Sequence, residues 1–201
     1  MIRVLLADDQ NLVRGALSAL LSFESSLEVV AEVGRGDEVL DAVLAHDVDV
    51  ALLDVEMPGL DGIEATRLVR AAAPDCRVLV LTTFGRPGYL RRAMEAGASG
   101  FLVKDAPAAQ LADAVRRVAA GERVVDPALA AESLAMGDSP LTEREREVLV
   151  AARGGGTAAD VAAALHLSEG TVRNYLSSAI TKTAARTRAE AVRVADERGW
   201  L

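Results

Sequence analysis

Residues 48–62 read VDVALLDVEMPGLDG, and the fold turns on how this stretch is parsed. The apolar run Val50–Leu53 suits a strand buried on both faces, as in a parallel sheet. It ends on a carboxylate, Asp54, where strand gives way to loop. Open α/β sheets place their sites at the carboxyl ends of strands, so Asp54 stands where chemistry is expected. Met57-Pro58-Gly59 breaks any regular structure, and Asp61 has the character of a helix N-cap.

Three further apolar runs end on polar groups. Ile2–Ala7 leads into Asp8-Asp9, Val78–Leu81 into Thr82, and Phe101–Val103 into Lys104. If the first and third strands are parallel neighbours, three carboxylates converge at one sheet edge. Like charges held close raise each other's pKa unless a cation relieves them. Mg²⁺, which takes oxygen ligands in octahedral geometry, is the natural relief. With a hydroxyl and an ammonium at the same edge, the set could hold a metal and a phosphoryl group on Asp54.

The intervening segments alternate in kind. Asn11–Phe23 reads as a helix with Leu12, Ala16, Leu20 and Phe23 inward, and Leu27–Val33 as the second strand. Gly36–Ala45 is a short helix with Val39, Leu40 and Val43 apolar. Asp61–Ala73 is a helix with Ile63, Leu68 and Val69 inward and Pro74 just past its end. Pro87–Ala96 is a helix closed by Gly97. Asp105 is expected to cap a last helix, Pro107–Ala120, that stops at Gly121. Five βα repeats imply a doubly wound parallel sheet with helices on both faces. The flavodoxin-like order 2-1-3-4-5 sets strands one and three side by side at the switch point.

The four strand-end positions, in this helix–strand order, resemble the receiver domain of two-component response regulators. The resemblance implies that Asp54 is the phosphoacceptor, that Asp9, Asp54 and the backbone carbonyl of Glu56 ligate Mg²⁺, and that Asp8 acts indirectly. Lys104 would pair with the acceptor carboxylate or the phosphoryl oxygens. Thr82 would move toward the phosphoryl group, with Phe101 changing rotamer in response. The blander alternatives are a strand-end Asp54 bonded to a loop, Asp8 or Asp9 as a helix cap, Lys104 as a surface lysine and Phe101 as a plain core aromatic. His46 and His166 stand alone, without metal-like spacing, and read as structural.

Glu122–Ser139 changes character: Asp126-Pro127, Gly137, Asp138 and Pro140 mark a connector with one or two helical turns in Ala128–Met136. Beyond it, Thr142-Glu143-Arg144-Glu145 is a capping box, with Val148, Leu149 and Ala152 inward. Gly154-Gly155-Gly156 ends that helix. Thr157 caps Ala158–Leu165, His166-Leu167 makes a turn, Ser168 caps a longer helix to about Ala185, and Arg188–Arg198 closes the chain. Short helix, tight turn, longer helix is the helix-turn-helix layout. LTEREREVL, ADVAAALHLSEGTVRNYLSSAITK and RAEAV resemble the DNA-binding domain of LuxR-type regulators, and the whole chain resembles the NarL/FixJ family.

By that resemblance Arg173, Asn174 and Ser177 reach base edges, while Thr171, Ser168 and Lys182 contact phosphates. Any of these is otherwise an ordinary exposed helix residue. One departure stands out: Thr183-Ala184 replaces the family's Leu-Gly, which packs and ends the recognition helix. The expected organisation is a receiver at 1–121, a linker at 122–139 and a helix-turn-helix domain at 140–201.

Composition agrees. Of 201 residues 51% are apolar and 3% aromatic, so Ala, Val and Leu must fill the cores. The single cysteine, Cys76, excludes an internal disulfide and fits a reducing compartment. Residues 1–138 carry 13 Lys/Arg and 22 Asp/Glu, whereas 139–201 carry 9 and 8, which hints that nucleic-acid contact lies in the second part. Ordinary solvated surface explains the same numbers. Charges near the N-terminus argue against a signal peptide, and no uncharged run approaches a membrane span. The expectation is a cytoplasmic transcription regulator without turnover of its own beyond self-phosphotransfer and autodephosphorylation. It would be phosphorylated by a sensor histidine kinase, dimerise on phosphorylation, bind a double-stranded operator and engage RNA polymerase. A phosphorylation-independent dimeric regulator and a Mg²⁺-dependent aspartyl-phosphate phosphatase are the other readings.

Overall fold

The computed structural model describes residues 1–83, 87–135 and 139–201. Gly137 and Asp138, expected to mark the connector, and Met136, the expected end of its helical turns, lie outside the described residues. The chain forms two compact units, the first running to Ala131 and the second beginning at Glu132.

The first unit alternates β1 (Ile2–Ala7), α1 (Asn11–Ser22), β2 (Leu27–Val33), α2 (Val39–Ala45), β3 (Val50–Asp54), α3 (Gly62–Ala72), β4 (Arg77–Thr82), α4 (Pro87–Glu95), β5 (Gly100–Val103) and α5 (Ala108–Ala119). The sheet is parallel with order 2-1-3-4-5, continued by a two-residue strand, β6 (Val124–Val125), and then α6 (Pro127–Ala135) begins. Thus part of the stretch expected to be connector belongs to the sheet. Alternation along the strands feeds two cores. Leu5, Ala51, Leu53, Val78, Val80 and Phe101 meet α2, α3 and α4 on one face. Val4, Leu6, Leu52, Leu79, Leu81 and Leu102 meet α1 and α5 on the other. Both faces being covered explains why the central strands are uninterrupted apolar runs.

Three local expectations are corrected. In α1 the expected inward face points outward: Leu12 is 87% exposed and Phe23, just past the helix, 85%, while Leu21 is buried and Leu17 packs beside it. The helix is apolar on nearly every side, so periodicity alone could not choose its face. In α3 Ile63, Thr66 and Val69 turn inward and Leu68 does not. Asp105 is not the cap of α5: the N-cap position is Pro107, with no side-chain cap bond. By contrast, Asp61 does cap α3, accepting from the Glu64 N–H at 2.7 Å.

The second unit holds α7 (Glu143–Ala152), α8 (Ala158–Leu165), α9 (Glu169–Lys182) and α10 (Arg188–Glu197) around Val148, Leu149, Val161, Val172, Leu176, Ala179, Ala191 and Trp200. Thr142 with Glu145, and Thr157 with Asp160, form reciprocal capping boxes, and Ser168 caps α9. His166 sits in the left-handed region at φ +54°, which turns the chain sharply from α8 into α9. This is the structural part its isolation in the sequence suggested.

Candidate functional sites

The register builds the first site. Ala7 pairs with Leu53, so Asp8 and Asp54 emerge in adjacent positions; Asp54 is level with Leu81, and Thr82 is level with Val103. Asp8, Asp54, Thr82 and Lys104 therefore leave the sheet at one edge, where all four strands end. Oxygens of Asp8, Asp9 and Asp54 lie within 4.8 Å of one another. The Lys104 ammonium bridges two of these acids, at 2.7 Å from Asp8 Oδ2 and 3.0 Å from Asp54 Oδ1. Asp9 and Glu56 are exposed, and with Gln10, Asp54, Thr82 and Thr83 they line a cleft of about 90 Å³.

The electrostatics follow from burial. Asp54 and Asp8 are buried. Desolvation pushes the Asp54 carboxyl above its ordinary range, Lys104 pulls it back, and Asp8 adds to the rise. For Lys104 burial disfavours the ammonium, but hydrogen bonds to Asp8 and Asp54 outweigh it and hold the group charged. Three clustered carboxylates served by one lysine leave negative charge uncompensated, and the all-oxygen donor set suits a hard divalent cation.

Two residues that drew no notice in the sequence shape this cleft. A Cβ on Gly62 would lie 1.9 Å from the Asp54 carbonyl oxygen, so only glycine lets α3 begin this close to the end of β3. Arg14, on α1, donates to the Asp8 carbonyl at 2.5 Å from behind the loop. The GLDG sequence is a weak signal for Gly62; nothing in the sequence separates Arg14 from a surface arginine. Phe101 is fully buried, paired through its backbone with Val80 and with Val125 of β6. Cys76 is buried and its thiol is pushed up to about 11 by desolvation, which leaves it unreactive.

The second site is one side of α9. Val172, Leu176 and Ala179 turn into the core. Arg173, Asn174 and Ser177 are exposed, at a spacing that puts them on one face as a sequence-reading helix requires. Arg173 pairs with Glu169 one turn back. The Ser168 hydroxyl accepts from the Thr171 N–H at 3.1 Å, and the two hydroxyls meet at 2.7 Å at the start of α9.

Lys182 is placed differently from the other expected DNA contacts: its ammonium lies 2.7 Å from Glu145 Oε2. Glu145 is buried and also accepts from Ser178 Oγ at 2.6 Å and from the Thr142 N–H at 2.6 Å. Burial alone would push its carboxyl up, but Lys182, Ser178 and Thr142 together bring it down to about 2.

The Thr183-Ala184 corner keeps its geometry without the usual residues. Thr183 is buried, its hydroxyl donating to the carbonyls of Ala179 at 2.8 Å and Ile180 at 3.2 Å. Ala184 adopts φ +54°, and the N–H groups of Ala184 and Ala185 close onto Thr181 and Ile180. Those are the two backbone hydrogen bonds of a Schellman motif, with alanine where glycine is usual.

A parallel α/β unit carrying acids and a lysine at its strand ends, followed by a helix-turn-helix unit, defines a DNA-binding response regulator. The response regulator receiver domain family matches residues 4–116, and bacterial regulatory proteins of the luxR family match residues 139–195. The chain belongs to the LuxR-type response regulators, transcription factors of two-component systems. It is 42% identical to the uncharacterized transcriptional regulatory protein YvfU and 40% identical to the transcriptional regulatory protein DesR, both of Bacillus subtilis (strain 168), over 100% of each chain. Among solved structures it is similar to the response regulator ChrA of a heme-sensing two-component system. There the identity is 35% and the TM-score 0.59, over 100% of this chain and 98% of that one. Among the described residues, no helix is long and apolar enough to cross a membrane.

Proposed function

We propose that a phosphoryl group on Asp54 controls DNA binding by this regulator. The observation that carries the reading is the buried Lys104 ammonium held between Asp8 and Asp54 beside an open acidic cleft. Asp54, as the carboxylate, attacks the phosphorus of a sensor kinase's phosphohistidine; an oxygen–phosphorus bond forms, the nitrogen–phosphorus bond breaks with its electron pair going to the ring, and the imidazole leaves neutral, keeping the proton already on its other nitrogen. Asp9, Asp54 and the Glu56 carbonyl would hold Mg²⁺, which offsets phosphoryl charge when bound, while Asp8 holds Lys104 in place. Lys104 stabilises the charge that builds on the transferring group. Thr82, at the end of β4, donates its hydroxyl to the phosphoryl oxygens, and Phe101 beneath it repacks.

The product is then a change in pairing. Leu12, Ala16 and Ala19 are exposed on one stripe of α1, continued by Phe23 just past its end, and we assign this stripe as the receiver's dimer face. Pairing brings two α9 helices to a two-half-site operator, with Arg173, Asn174 and Ser177 toward bases and Ser168 and Thr171 toward phosphates. The protein acts in the cytoplasm and recruits or blocks RNA polymerase. We take 1–121 as the receiver, 122–139 as the linker and 140–201 as the DNA-binding domain.

Solution size and binding to operator DNA, before and after treatment with acetyl phosphate and Mg²⁺, test this reading. Wild type should pair and tighten on DNA, and Asp54→Asn should do neither. The exposed α1 stripe also favours a second reading, pairing without phosphorylation; equal pairing by Asp54→Asn would select it.

A further inference from the structure

We propose that Arg14 is a positioning residue for the carboxylate cleft: from behind, it fixes the Asp8-Asp9 loop in the shape that accepts the divalent cation. This inference rests on the cation-binding reading above.

The Asp8 N–H donates to the Val33 carbonyl at 3.2 Å, and the rest of the loop is held through side chains. Gln10, at the N-cap position of α1, makes no side-chain cap bond, and no acid lies in the first turn of the helix. Asp8 directs one carboxylate oxygen to the Gln10 N–H at 2.9 Å and the other to Lys104 at 2.7 Å, which leaves Asp9 on an exposed turn. Arg14, one turn into α1, reaches back to this turn with one arm of its guanidinium and to the first turn of the helix with another. Nη1 donates to the Asp8 carbonyl at 2.5 Å, Nη2 donates to Asn11 Oδ1 at 2.8 Å, and Nε lies 3.5 Å from Glu32 Oε2 on β2. Its side chain is only 18% exposed. Gly34 lines the slot: a Cβ there would lie 3.5 Å from Nη1 and 4.0 Å from the Asp8 carbonyl oxygen. The planar fork thus ties the strand-end loop to the first turn of α1 by two hydrogen bonds, which a single ammonium cannot do in the same geometry, while Nε faces Glu32 of the neighbouring strand as an ion pair without a hydrogen bond.

Charge and position predict opposite results. Arg14 meets the loop through a carbonyl, not a carboxylate, so its positive charge opposes an incoming cation. Were charge its only effect, removing it would tighten Mg²⁺ binding. Were it a clamp, removing it would loosen binding by about tenfold, as loss of a partner that orients metal ligands commonly does.

The experiment is calorimetric titration of the full-length chain with Mg²⁺, without phosphodonor, in wild type, Arg14→Gln and Arg14→Lys. Labelling by acetyl phosphate is followed in parallel as Mg²⁺ is varied. The expected result is a Kd for Mg²⁺ raised about tenfold in both variants. The Mg²⁺ needed for half-maximal labelling should rise in step with that Kd. Arg14→Lys, which keeps the charge and most of the stem, carries the test if Arg14→Gln does not fold. Unchanged or tighter Mg²⁺ binding in the variants, with wild type binding normally, overturns the assignment of Arg14 alone. A wild-type chain that takes up no Mg²⁺ overturns the cation-binding reading and this inference with it.

Discussion

Replacing Glu145 by glutamine removes one charge from a site where three partners converge, and the cost can be worked from the structure. The carboxylate is 4% exposed and accepts from Lys182, Ser178 and the Thr142 backbone. Its carboxyl falls from an ordinary 4.5 to about 2, against the upward push of burial. At ~1.4 kcal/mol per tenfold change in proton affinity, the ionised form gains at most about 3 kcal/mol from these partners. Lys182 is a third exposed, so solvent screens part of its share, and glutamine retains some of the hydrogen bonding. A loss of about 2 kcal/mol is expected at pH 7, or a midpoint lower by about 10 °C for a unit of this size. A depressed carboxyl stabilises fully above its unfolded value and loses that contribution as pH falls through its folded value. Wild type should therefore lose the advantage between about pH 4.5 and 2, where Glu145→Gln has none to lose. The only tryptophan, Trp200, is buried in the same core, so its fluorescence reports unfolding of this unit. Urea titrations at pH 7 and across the acid range decide the matter. A variant within about 0.5 kcal/mol of wild type at pH 7, or an equally steep acid limb in both proteins, would refute the reasoning.

Lys182→Met should destabilise the same unit yet leave the salt dependence of operator binding nearly unchanged, because Glu145 holds the ammonium; a log–log slope shallower by about 0.9 per bound protomer would make Lys182 a phosphate contact instead. Ala184→Gly should stabilise the second unit by about 0.5–1 kcal/mol, since glycine adopts the left-handed conformation without the cost that alanine bears there; urea titration that shows no gain would contradict the Schellman geometry. Asp54→Asn should raise the thermal midpoint of the first unit at pH 7. The Asp54 carboxyl is raised in the fold, so its contribution is complete below its unfolded value and is lost as pH rises through its folded value. The gap between variant and wild type should close in acid. Leu12→Glu with Phe23→Glu should abolish pairing of the phosphorylated protein in sedimentation while leaving phosphoryl uptake intact; pairing that survives moves the dimer face elsewhere.

The strand ends were legible because a buried parallel strand is a plain apolar run, and the polar residue that stops it is conspicuous. That brought Asp8, Asp9, Asp54, Thr82 and Lys104 to one edge from pattern and topology together, with the register following. Caps with side-chain bonds were equally readable at Asp61, Thr142, Thr157 and Ser168, since each pairs a short polar side chain with a helix start. The inward face of α1 was not, because that helix offers apolar residues on almost all sides. Nor was the sixth strand: Val124-Val125 is too short to signal, and it forms only because Gly100 leaves room beside the Val124 carbonyl. The ion pair of Lys182 with Glu145 spans 37 residues, and Arg14 works through a backbone carbonyl. Neither kind of contact leaves a trace in composition or spacing. At Thr183-Ala184 the sequence raised a doubt about the end of α9, and the backbone answers it with the usual motif on an unusual residue.

The most direct measurement is the intact mass of the full-length protein after incubation with acetyl phosphate, with and without Mg²⁺, in wild type and Asp54→Asn. The account predicts a single added phosphoryl group that requires Mg²⁺ and is absent from the variant. An adduct of equal yield in Asp54→Asn, or none in wild type at saturating Mg²⁺, would contradict it.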